Sequence, residues 1–181
     1  LGPKDVRESV VEALSAVSRT ASLLGKGNVT ISPEKAFVTL DKCNSCGDCV
    51  SVCPIHAIEI VPEGAMVNAI SCVGCGLCVP VCPKEAIDLK NSTESQLLAE
   101  IEGVGGATPT QPKIIAFVEG TSAYTACDLV GLARKQYPTS VRVIKVPSVG
   151  RIHAKHLLAA FHAGADGVVM IEGEGTVLGE E

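Results

Sequence analysis

Large aromatic side chains are scarce in this chain of 181 residues, which has no Trp, two Tyr and three Phe. Its core must therefore be built from small aliphatic side chains, and 18 Gly with 10 Pro indicate many tight turns. No apolar run approaches the roughly 20 residues that cross a bilayer, and no secretory signal is recognisable. These absences predict a soluble, cytoplasmic protein without a transmembrane segment.

Signatures of catalysis are missing as well. The sequence contains no G-x-G-x-x-G nucleotide motif and no combination of acid, base and nucleophile that is typical of an active site. The net charge is −5, and we expect no nucleic-acid partner. The chain by itself is therefore not expected to be an enzyme. It begins with Leu1 rather than Met, which indicates processing or a longer parent protein.

Cysteine, by contrast, is abundant. An odd count of nine without a secretory signal favours metal binding over disulfides. Eight of the cysteines form two copies of C-x2-C-x2-C-x3-C-P, within an internal repeat that aligns residues 36–60 with residues 65–89. Each copy is predicted to contain a short strand, a cysteine loop, a one-turn helix after the last cysteine and a second strand. Residues 36–90 are therefore expected to form a small α+β domain.

The spacing of the cysteines predicts two 4Fe-4S clusters. In a doubled motif of this kind three cysteines on a tight loop bind one cubane, and the fourth, turned away by the following Pro, binds the other. Structural zinc fits poorly, because zinc sites use paired C-x2-4-C knuckles. The predicted ligands are Cys43, Cys46, Cys49 and Cys82 for cluster 1, and Cys72, Cys75, Cys78 and Cys53 for cluster 2.

Residues 1–35 are predicted to hold an amphipathic helix and a connector. Apolar residues recur at steps of three and four along "DVRESVVEALSAVSRTASLL", which places them in one stripe. Asp5 suits the first turn and Gly25 suits the end. The stripe needs a surface to cover, which is either a domain missing from this chain or one of the later domains.

After the cysteine repeat the pattern changes. Residues 91–112 are predicted to contain a short helix, capped by Ser92 or Thr93 and ending near Ile101, followed by a linker. Residues 113–181 alternate the strands "KIIAFV", "SVRVIKV" and "GVVMI" with helices at 122–136 and 152–163. This alternation predicts a small α/β domain with a parallel βαβαβ sheet.

Two stretches resemble known families. Residues 36–90, through their two motifs, are similar to bacterial-type dicluster ferredoxin domains. "PKIIAFVEGTSAYTACDLVGLARKQYP" and "VRVIKVPSVGRIHAKHLLAAFHAGADGVVMI" resemble the delta subunit of methyl-viologen-reducing hydrogenases. The order of helix, ferredoxin and delta-like domain resembles the C-terminal part of the A subunit of heterodisulfide reductase. It also resembles the related B subunit of the quinone-interacting membrane-bound oxidoreductase of sulfate reducers.

The resemblance implies electron transfer between an FAD-bearing domain upstream of Leu1 and a redox partner. The parent protein would belong to a heterodisulfide reductase-type complex of anaerobic energy metabolism, such as methanogenesis, with flavin-based electron bifurcation. Its partners would be the other subunits and a hydrogenase, dehydrogenase or ferredoxin-type donor or acceptor, and a homodimer could form through the parent protein. Three alternatives stay open: a quinone-interacting oxidoreductase, an α/β flavin-binding enzyme domain fed by the ferredoxin, and a pure docking domain.

The resemblance also implies that something has been lost. Members of the delta family carry a further iron-sulfur cluster, and the positions that match its cysteines hold Glu119, Ser122, Ser148 and a residue near Gly173. A carboxylate and a hydroxyl are poor ligands for iron-sulfur chemistry. We therefore expect no cluster within residues 113–181. The ninth cysteine, Cys127, is predicted to pack on the buried face of a helix.

Smaller features allow two readings each. The hydroxyls of "EGTSAYT" are expected to cap a helix rather than to hold a phosphate. His153 and His156 are expected on a solvated helix face rather than at a metal, and His56 could shield a cluster or lie at the surface. Arg151 is expected in an ordinary surface salt bridge, with contact to a partner or an anionic group as its alternative.

Overall fold

The contacts within the chain divide it into two units, with the boundary between Ser32 and Pro33. The computed structural model describes residues 5–28, 30–106 and 112–173. Within those ranges, no helix combines the length and the apolar character that crossing a bilayer requires. Residues 33–181 form one unit, so the predicted boundaries at residues 90 and 112 stay predictions.

The first unit contains helix α1, Val6–Leu24. The carboxylate of Asp5 accepts a hydrogen bond from the backbone N–H of Glu8 at 2.7 Å and so caps the first turn. The helix ends at Gly25, whose N–H donates to the carbonyl of Ala21. Every side chain of α1 is exposed, including apolar ones such as Leu14 at 64%. The predicted helix is therefore present, and its apolar residues face no cover within the described residues of its own unit.

The two cysteine repeats exchange strands. The first strand, β1 (Ala36–Val38), pairs antiparallel with the last, β4 (Ile87–Leu89). The two inner strands, β2 (Ile58–Val61) and β3 (Gly64–Val67), also pair antiparallel. The opening strand of each repeat thus lies beside the closing strand of the other. The two copies are interlocked, and a single core of apolar residues and cysteines runs through both.

The predicted one-turn helix after the last cysteine is wrong in position. Helix α2, Asp48–Ser51, lies before the fourth cysteine of the first repeat, and the equivalent residues of the second repeat form turns. The residues after each fourth cysteine explain the difference. The first of them is a proline, which removes a backbone donor, and two residues later His56 and Glu85 adopt left-handed φ values of 50° and 48°. Neither segment can therefore continue as a helix.

The α/β part has the predicted parallel sheet. Its strands are β5 (Ile114–Glu119), β6 (Val141–Val146) and β7 (Gly167–Ile171), in the order β6-β5-β7 with both pairs parallel. Helix α4, Ala123–Leu132, connects the first two strands, and helix α5, Ala154–His162, connects the last two. Both helices are shorter than predicted. Past the end of α4, Arg134 adopts a left-handed φ of 52°.

Alternate residues of β5 build two cores. Ile115 and Phe117, both fully buried, pack with helices α3 (Glu94–Gly106) and α5 on one face. Ala116 and Val118 face α4 on the other, where the partly buried Cys127 also packs. This position of Cys127 agrees with the packing role that its spacing predicts.

Helix α3 continues beyond its predicted end near Ile101, despite the glycines in its last turns. Thr93 caps it as predicted, because its Oγ1 accepts from the N–H of Gln96 while the Gln96 side chain accepts from the N–H of Thr93. Leu97 and Ile101 are buried against the sheet. Burial of this face outweighs the low helix propensity of the glycines.

Two glycines give a matched test of this packing. Gly74 has a φ of +74°, and an added Cβ would lie 2.1 Å from the carbonyl oxygen of Glu34. We expect Gly74→Ala to lower the free energy of unfolding by roughly 2 kcal/mol or more, because both strain and a backbone clash oppose it. A Cβ added to Gly103 in α3 would meet no neighbouring atom, so Gly103→Ala should raise the free energy of unfolding by roughly 0.5–1 kcal/mol. Urea unfolding of the iron-loaded proteins measures both, and equal effects would contradict this packing.

Candidate iron-sulfur centres and the domain junction

Two cavities are each lined by four thiols and, for the most part, by apolar side chains. Each combines three cysteines of one motif with the fourth cysteine of the other, because the exchanged strands carry the fourth cysteine across. The structure therefore brings together the two groups that the motifs predict. The first cavity holds Cys43, Cys46, Cys49 and Cys82, and the second holds Cys53, Cys72, Cys75 and Cys78.

Backbone N–H groups donate to the sulfur atoms at equivalent places in the two repeats. The N–H of Ala57 lies 3.3 Å from the Sγ of Cys53, and that of Ala86 lies 3.3 Å from the Sγ of Cys82. A third, from Ala65, reaches the Sγ of Cys43 at 3.5 Å. Hydrogen bonds to sulfur favour the thiolate form, which is the form that binds iron.

The protonation of the thiols indicates what the cavities require. Burial, followed by the neighbouring thiols of Cys75 and Cys72, raises the pKa of Cys78 to about 12. Burial likewise raises the pKa of Cys49, whereas N–H groups of Ser45 and Ala65 lower that of Cys43. Four converging thiols cannot all ionise here without a cation among them. Four soft sulfur donors in an apolar cavity fit an iron-sulfur cluster.

His56 lies at the surface. Its left-handed backbone forms the turn after Cys53, and its N–H donates to the Cys53 carbonyl. Glu85 forms the same turn after Cys82. The shared geometry shows that this position serves the turn, and the His56 side chain is exposed.

Glu119, at the carboxyl end of β5, is 1% exposed and holds the start of α4. Its carboxylate accepts from the N–H groups of Thr121, Ser122 and Ala123 at 2.6, 2.9 and 3.2 Å. The hydroxyls of Thr121 and Ser122 donate to it as well. Burial alone would raise the pKa of Glu119, but these donors outweigh it and lower the pKa to about 2. The carboxylate thus occupies the place that a bound phosphate would take.

Ser122 and Gly173, two of the positions where the resemblance implies lost cysteines, lie side by side. A Cβ on Gly173 would fall 2.6 Å from the Cβ of Ser122, whose hydroxyl already binds Glu119. Ser148 is buried, and its Oγ accepts from the N–H of Gly150 at 3.2 Å. The side-chain oxygens of Glu119, Ser122 and Ser148 thus all take part in hydrogen bonds within the chain. The absence of a cluster from this domain stays a prediction.

A cleft of about 690 Å³ lies beside this region. It is lined by Gly74 and Cys75 of the second cysteine loop, by α3 and by the carboxyl ends of β5 and β6. Parallel sheets commonly bind nucleotides at such an edge. Here the charged lining is Glu34, Glu100, Glu119 and a lysine, Lys145, and Glu119 already takes the N–H groups of α4. This lining disfavours the phosphate of a flavin or nucleotide.

The surface salt bridge expected for Arg151 is wrong, because the Arg151 side chain is fully buried. Its Nη1 donates to the carbonyl and hydroxyl of Ser92, and its Nη2 lies 3.3 Å from Asp88 and 3.9 Å from Glu94. Burial lowers the pKa of Arg151, but a guanidinium stays protonated in proteins. The anionic partners of Arg151 therefore belong to this chain, and the arginine joins the α/β part to the ferredoxin-like part.

The expected solvated face at His153 and His156 is wrong for His156, which is fully buried. Its Nδ1 accepts from the N–H of His153 at 3.2 Å. Its Nε2 lies 2.8 Å from Glu94, although the N–H direction departs from that oxygen. Burial lowers the pKa of His156, and the acceptor role of Nδ1 fits a neutral ring. A face that looks polar in sequence is buried because α3 covers it.

Glu94 is the shared acceptor of this junction. Burial would raise its pKa, but Lys155, whose Nζ lies 2.5 Å away, together with His156 and Arg151 lowers it. The ligand atoms of Glu94, His153 and His156 lie within 4.8 Å of one another. A metal ion would have to displace the lysine and face the arginine, and both histidine Nδ1 atoms already accept backbone N–H groups. The arrangement is an ion-pair network.

Comparison with known proteins agrees with this geometry. Residues 42–86 match the family described as a 4Fe-4S dicluster domain, and residues 114–176 match the delta subunit of methyl-viologen-reducing hydrogenase. Over 169 residues, 93% of the chain, it is 43% identical to the A subunit of the ferredoxin/F420H2-dependent CoB-CoM heterodisulfide reductase of Methanosarcina acetivorans. The A subunit of the ferredoxin:CoB-CoM heterodisulfide reductase of Methanosarcina mazei is 40% identical over the same length. The chain is similar to the C-terminal part of heterodisulfide reductase A subunits.

The predicted resemblance to the C-terminal part of that subunit is confirmed, and the chain spans about a fifth of the length, 21%, of these two relatives. A third relative covers a shorter stretch: the iron-sulfur subunit of the vhu F420-non-reducing hydrogenase of Methanococcus maripaludis is 48% identical over 58 residues, 32% of this chain and 43% of that protein. Residues 42–86 belong to a type of domain that holds two 4Fe-4S clusters.

Glu119 provides a test of the carboxylate site in the delta-like domain. Glu119→Gln removes a buried charge with five donors, so we expect the free energy of unfolding at pH 7 to fall by roughly 1–3 kcal/mol. Because the pKa of Glu119 is depressed in the folded state from 4.5 to about 2, its contribution is present above pH 4.5 and declines as the pH falls toward 2. The difference between the two proteins should therefore narrow between pH 7 and pH 4.

Urea unfolding of the iron-loaded proteins at both pH values measures this difference. Glu102→Gln is the matched control, because Glu102 is exposed on α3, and it should change the free energy of unfolding by less than about 0.5 kcal/mol. An equal effect of both substitutions, or a difference that widens at pH 4, would contradict the site described for Glu119.

Proposed function

We propose that this chain carries single electrons through two 4Fe-4S clusters inside an oxidoreductase complex of the heterodisulfide reductase type. The observation that carries the proposal is the pair of four-thiol cavities, each shared between the two repeats. Two clusters held by one interlocked core stay at a fixed separation, which suits electron transfer between them. The complex would serve the anaerobic energy metabolism of methanogens, as the names of the relatives suggest.

We assign the ligands by cavity. Cluster 1 is bound by Cys43, Cys46, Cys49 and Cys82, and cluster 2 by Cys72, Cys75, Cys78 and Cys53. The lining of the two cavities and the N–H groups directed at Cys53 and Cys82 support this crossed arrangement. Cys127 takes no part, because it packs against the sheet of the delta-like domain.

We also propose that a domain upstream of Leu1 in the parent protein holds FAD. Helix α1 supports this proposal, since residues such as Val6, Val10, Leu14 and Val17 recur at helical spacing and are exposed by 52–83%. We infer that this amphipathic stripe covers the preceding domain. Residues 1–35 would then close the flavin domain, with residues 36–90 as the ferredoxin domain, 91–112 as the connector and 113–181 as the delta-like domain.

The delta-like domain is proposed to face the redox partner. One relative of this region is named as an iron-sulfur subunit of a hydrogenase, and others are named for ferredoxin. We therefore infer a hydrogenase, dehydrogenase or ferredoxin-type protein as donor or acceptor, beside the other subunits of the complex and a second copy of the parent protein. Flavin-based bifurcation would take place upstream, and this chain would relay one of the two electrons.

The crossed ligation gives a direct test of the assignment. Cys82→Ala should change the same electron paramagnetic resonance signal of the reduced protein as Cys43→Ala, although these cysteines belong to different motifs. Cys53→Ala should change the signal that Cys72→Ala changes. Cys127→Ala is the control and should leave both signals and the iron content intact. If Cys82→Ala and Cys72→Ala changed the same signal, the crossed assignment would be wrong.

The flavin-binding alternative is tested by absorbance. We expect the anaerobically purified chain to contain no flavin, because Glu119 fills the helix terminus where a phosphate would bind. A longer version that includes the upstream segment should contain about one FAD per chain. Near-stoichiometric flavin in the 181-residue chain would overturn the relay proposal in favour of a flavin enzyme.

A further inference from the structure

Arg151 lies against the loop that surrounds cluster 2. A Cβ added to Gly76, between Cys75 and Cys78, would fall 3.1 Å from the Cδ and 3.3 Å from the Cγ of Arg151. Gly76 also has a φ of +84°. The absence of a side chain at this position is thus what allows the arginine stem to pass over the cysteine loop.

The charge of Arg151 is fixed in place and shielded from water. Its side chain is 0% exposed, and two hydrogen bonds to Ser92 hold one end of the guanidinium. A charge in a water-excluded position acts over a longer distance than one at the surface, because the effective dielectric constant is lower. Two cysteines of the facing loop, Cys72 and Cys78, are buried as well, at 8% and 7% exposure.

Two carboxylates lie near Arg151 and oppose its charge, and both also have other partners. Glu94 lies 3.9 Å from the guanidinium but 2.5 Å from the Nζ of Lys155. Asp88 accepts from the N–H groups of Glu94 and Leu89, so it also serves the positive end of helix α3. The network as a whole is close to neutral, and Arg151 is the cation whose stem contacts the cysteine loop.

A second cation reaches the same loop from the other part of the chain. The Nζ of Lys35 donates to the backbone carbonyl of Cys72. Among the described residues that line the two cavities, none is Lys, Arg or His, so Arg151 and Lys35 approach the loop of cluster 2 from outside its cavity. Cluster 1 instead has an exposed ligand, Cys46, and is closer to water. The cysteine loop of cluster 2 thus has two fixed cations against it, whereas cluster 1 has a ligand that is open to solvent.

We propose that Arg151 raises the reduction potential of cluster 2 and so makes it the resting place of the electron beside the delta-like domain. This inference rests on the ligand assignment proposed above. Reduction adds one electron to the cluster and changes its net charge, thiolates included, from about −2 to about −3, while no bond forms or breaks and no proton is taken up. A fixed positive charge stabilises the more negative state. Arg151 touches the cysteine loop and acts through its charge, so it is a positioning and tuning residue.

The test is a redox titration of the anaerobically purified chain, followed by electron paramagnetic resonance, with Arg151→Gln compared with the unsubstituted protein. We expect one of the two one-electron waves to move to lower potential by at least a tenfold change in its equilibrium constant, which equals about 59 mV. The other wave should stay in place and serves as an internal reference. The same titration in a Cys46→Ala background, which disables cluster 1, identifies the moving wave as that of cluster 2.

Two further variants separate charge from structure. Arg151→Lys keeps the charge and should restore most of the potential. Arg142→Gln removes a cation whose Nη1 binds only the Thr139 carbonyl among its described hydrogen bonds, and should move neither wave. A purely structural role of Arg151 would alter unfolding but leave the potential of an intact cluster unchanged.

The outcomes are distinct. About eight iron atoms per chain with no movement in Arg151→Gln, or an equal movement of both waves, would overturn the inference. If Arg151→Gln lost iron, the Asp88→Asn variant would decide. This substitution removes the carboxylate that opposes Arg151 and keeps an acceptor for the N–H of Glu94. The reduction potential of cluster 2 should then rise, and an unchanged potential would overturn the inference. Fewer than two waves in the unsubstituted protein would instead refute the proposed function.

Discussion

The structure depends on the exchange of strands between two copies of one short repeat. Because β1 pairs with β4 and β2 with β3, each copy lends its last cysteine to the loop of the other. Neither group of four thiols exists without both copies. The core of this part has few large side chains and consists largely of the cysteines with Ala, Ile, Val and Leu around them. Iron therefore supplies cohesion that a core of this size lacks.

A buried ion-pair network joins this part to the delta-like domain. Arg151 and Lys155 come from the sheet domain, Asp88 from the ferredoxin strand and Glu94 from the connecting helix. Breaking such a network leaves a buried charge unpaired, which opposes separation of the two parts. At the carboxyl end of β5, the carboxylate of Glu119 accepts the N–H groups at the start of helix α4. The ion-pair network around Arg151 lies beside the cysteine loop of cluster 2. The carboxylate of Glu119 instead fills a helix terminus that could have bound an anion.

Much of this could be predicted from sequence, because the deciding signals are local. The cysteine spacing and the internal repeat, whose copies start 29 residues apart, determine the two four-thiol groups. The alternation of strands and helices determines the parallel sheet. The errors arose where distant residues decide. His156 and Arg151 looked polar and exposed, but their burial depends on α3, which covers them from about 60 positions away. The one-turn helix was predicted in the wrong place because His56 adopts a left-handed backbone conformation. The residue type alone did not indicate this conformation. The contact between Gly76 and the Arg151 side chain could not be predicted from the sequence, because only the fold brings these two residues together.

The central claim is that two 4Fe-4S clusters, and no other iron centre, carry the electrons. The most direct measurement is the iron content of the anaerobically purified chain together with electron paramagnetic resonance of its reduced form. About eight iron atoms and two magnetically coupled 4Fe-4S signals are predicted. About four iron atoms with one uncoupled signal, or additional iron with the signal of a 2Fe-2S centre, would contradict the account.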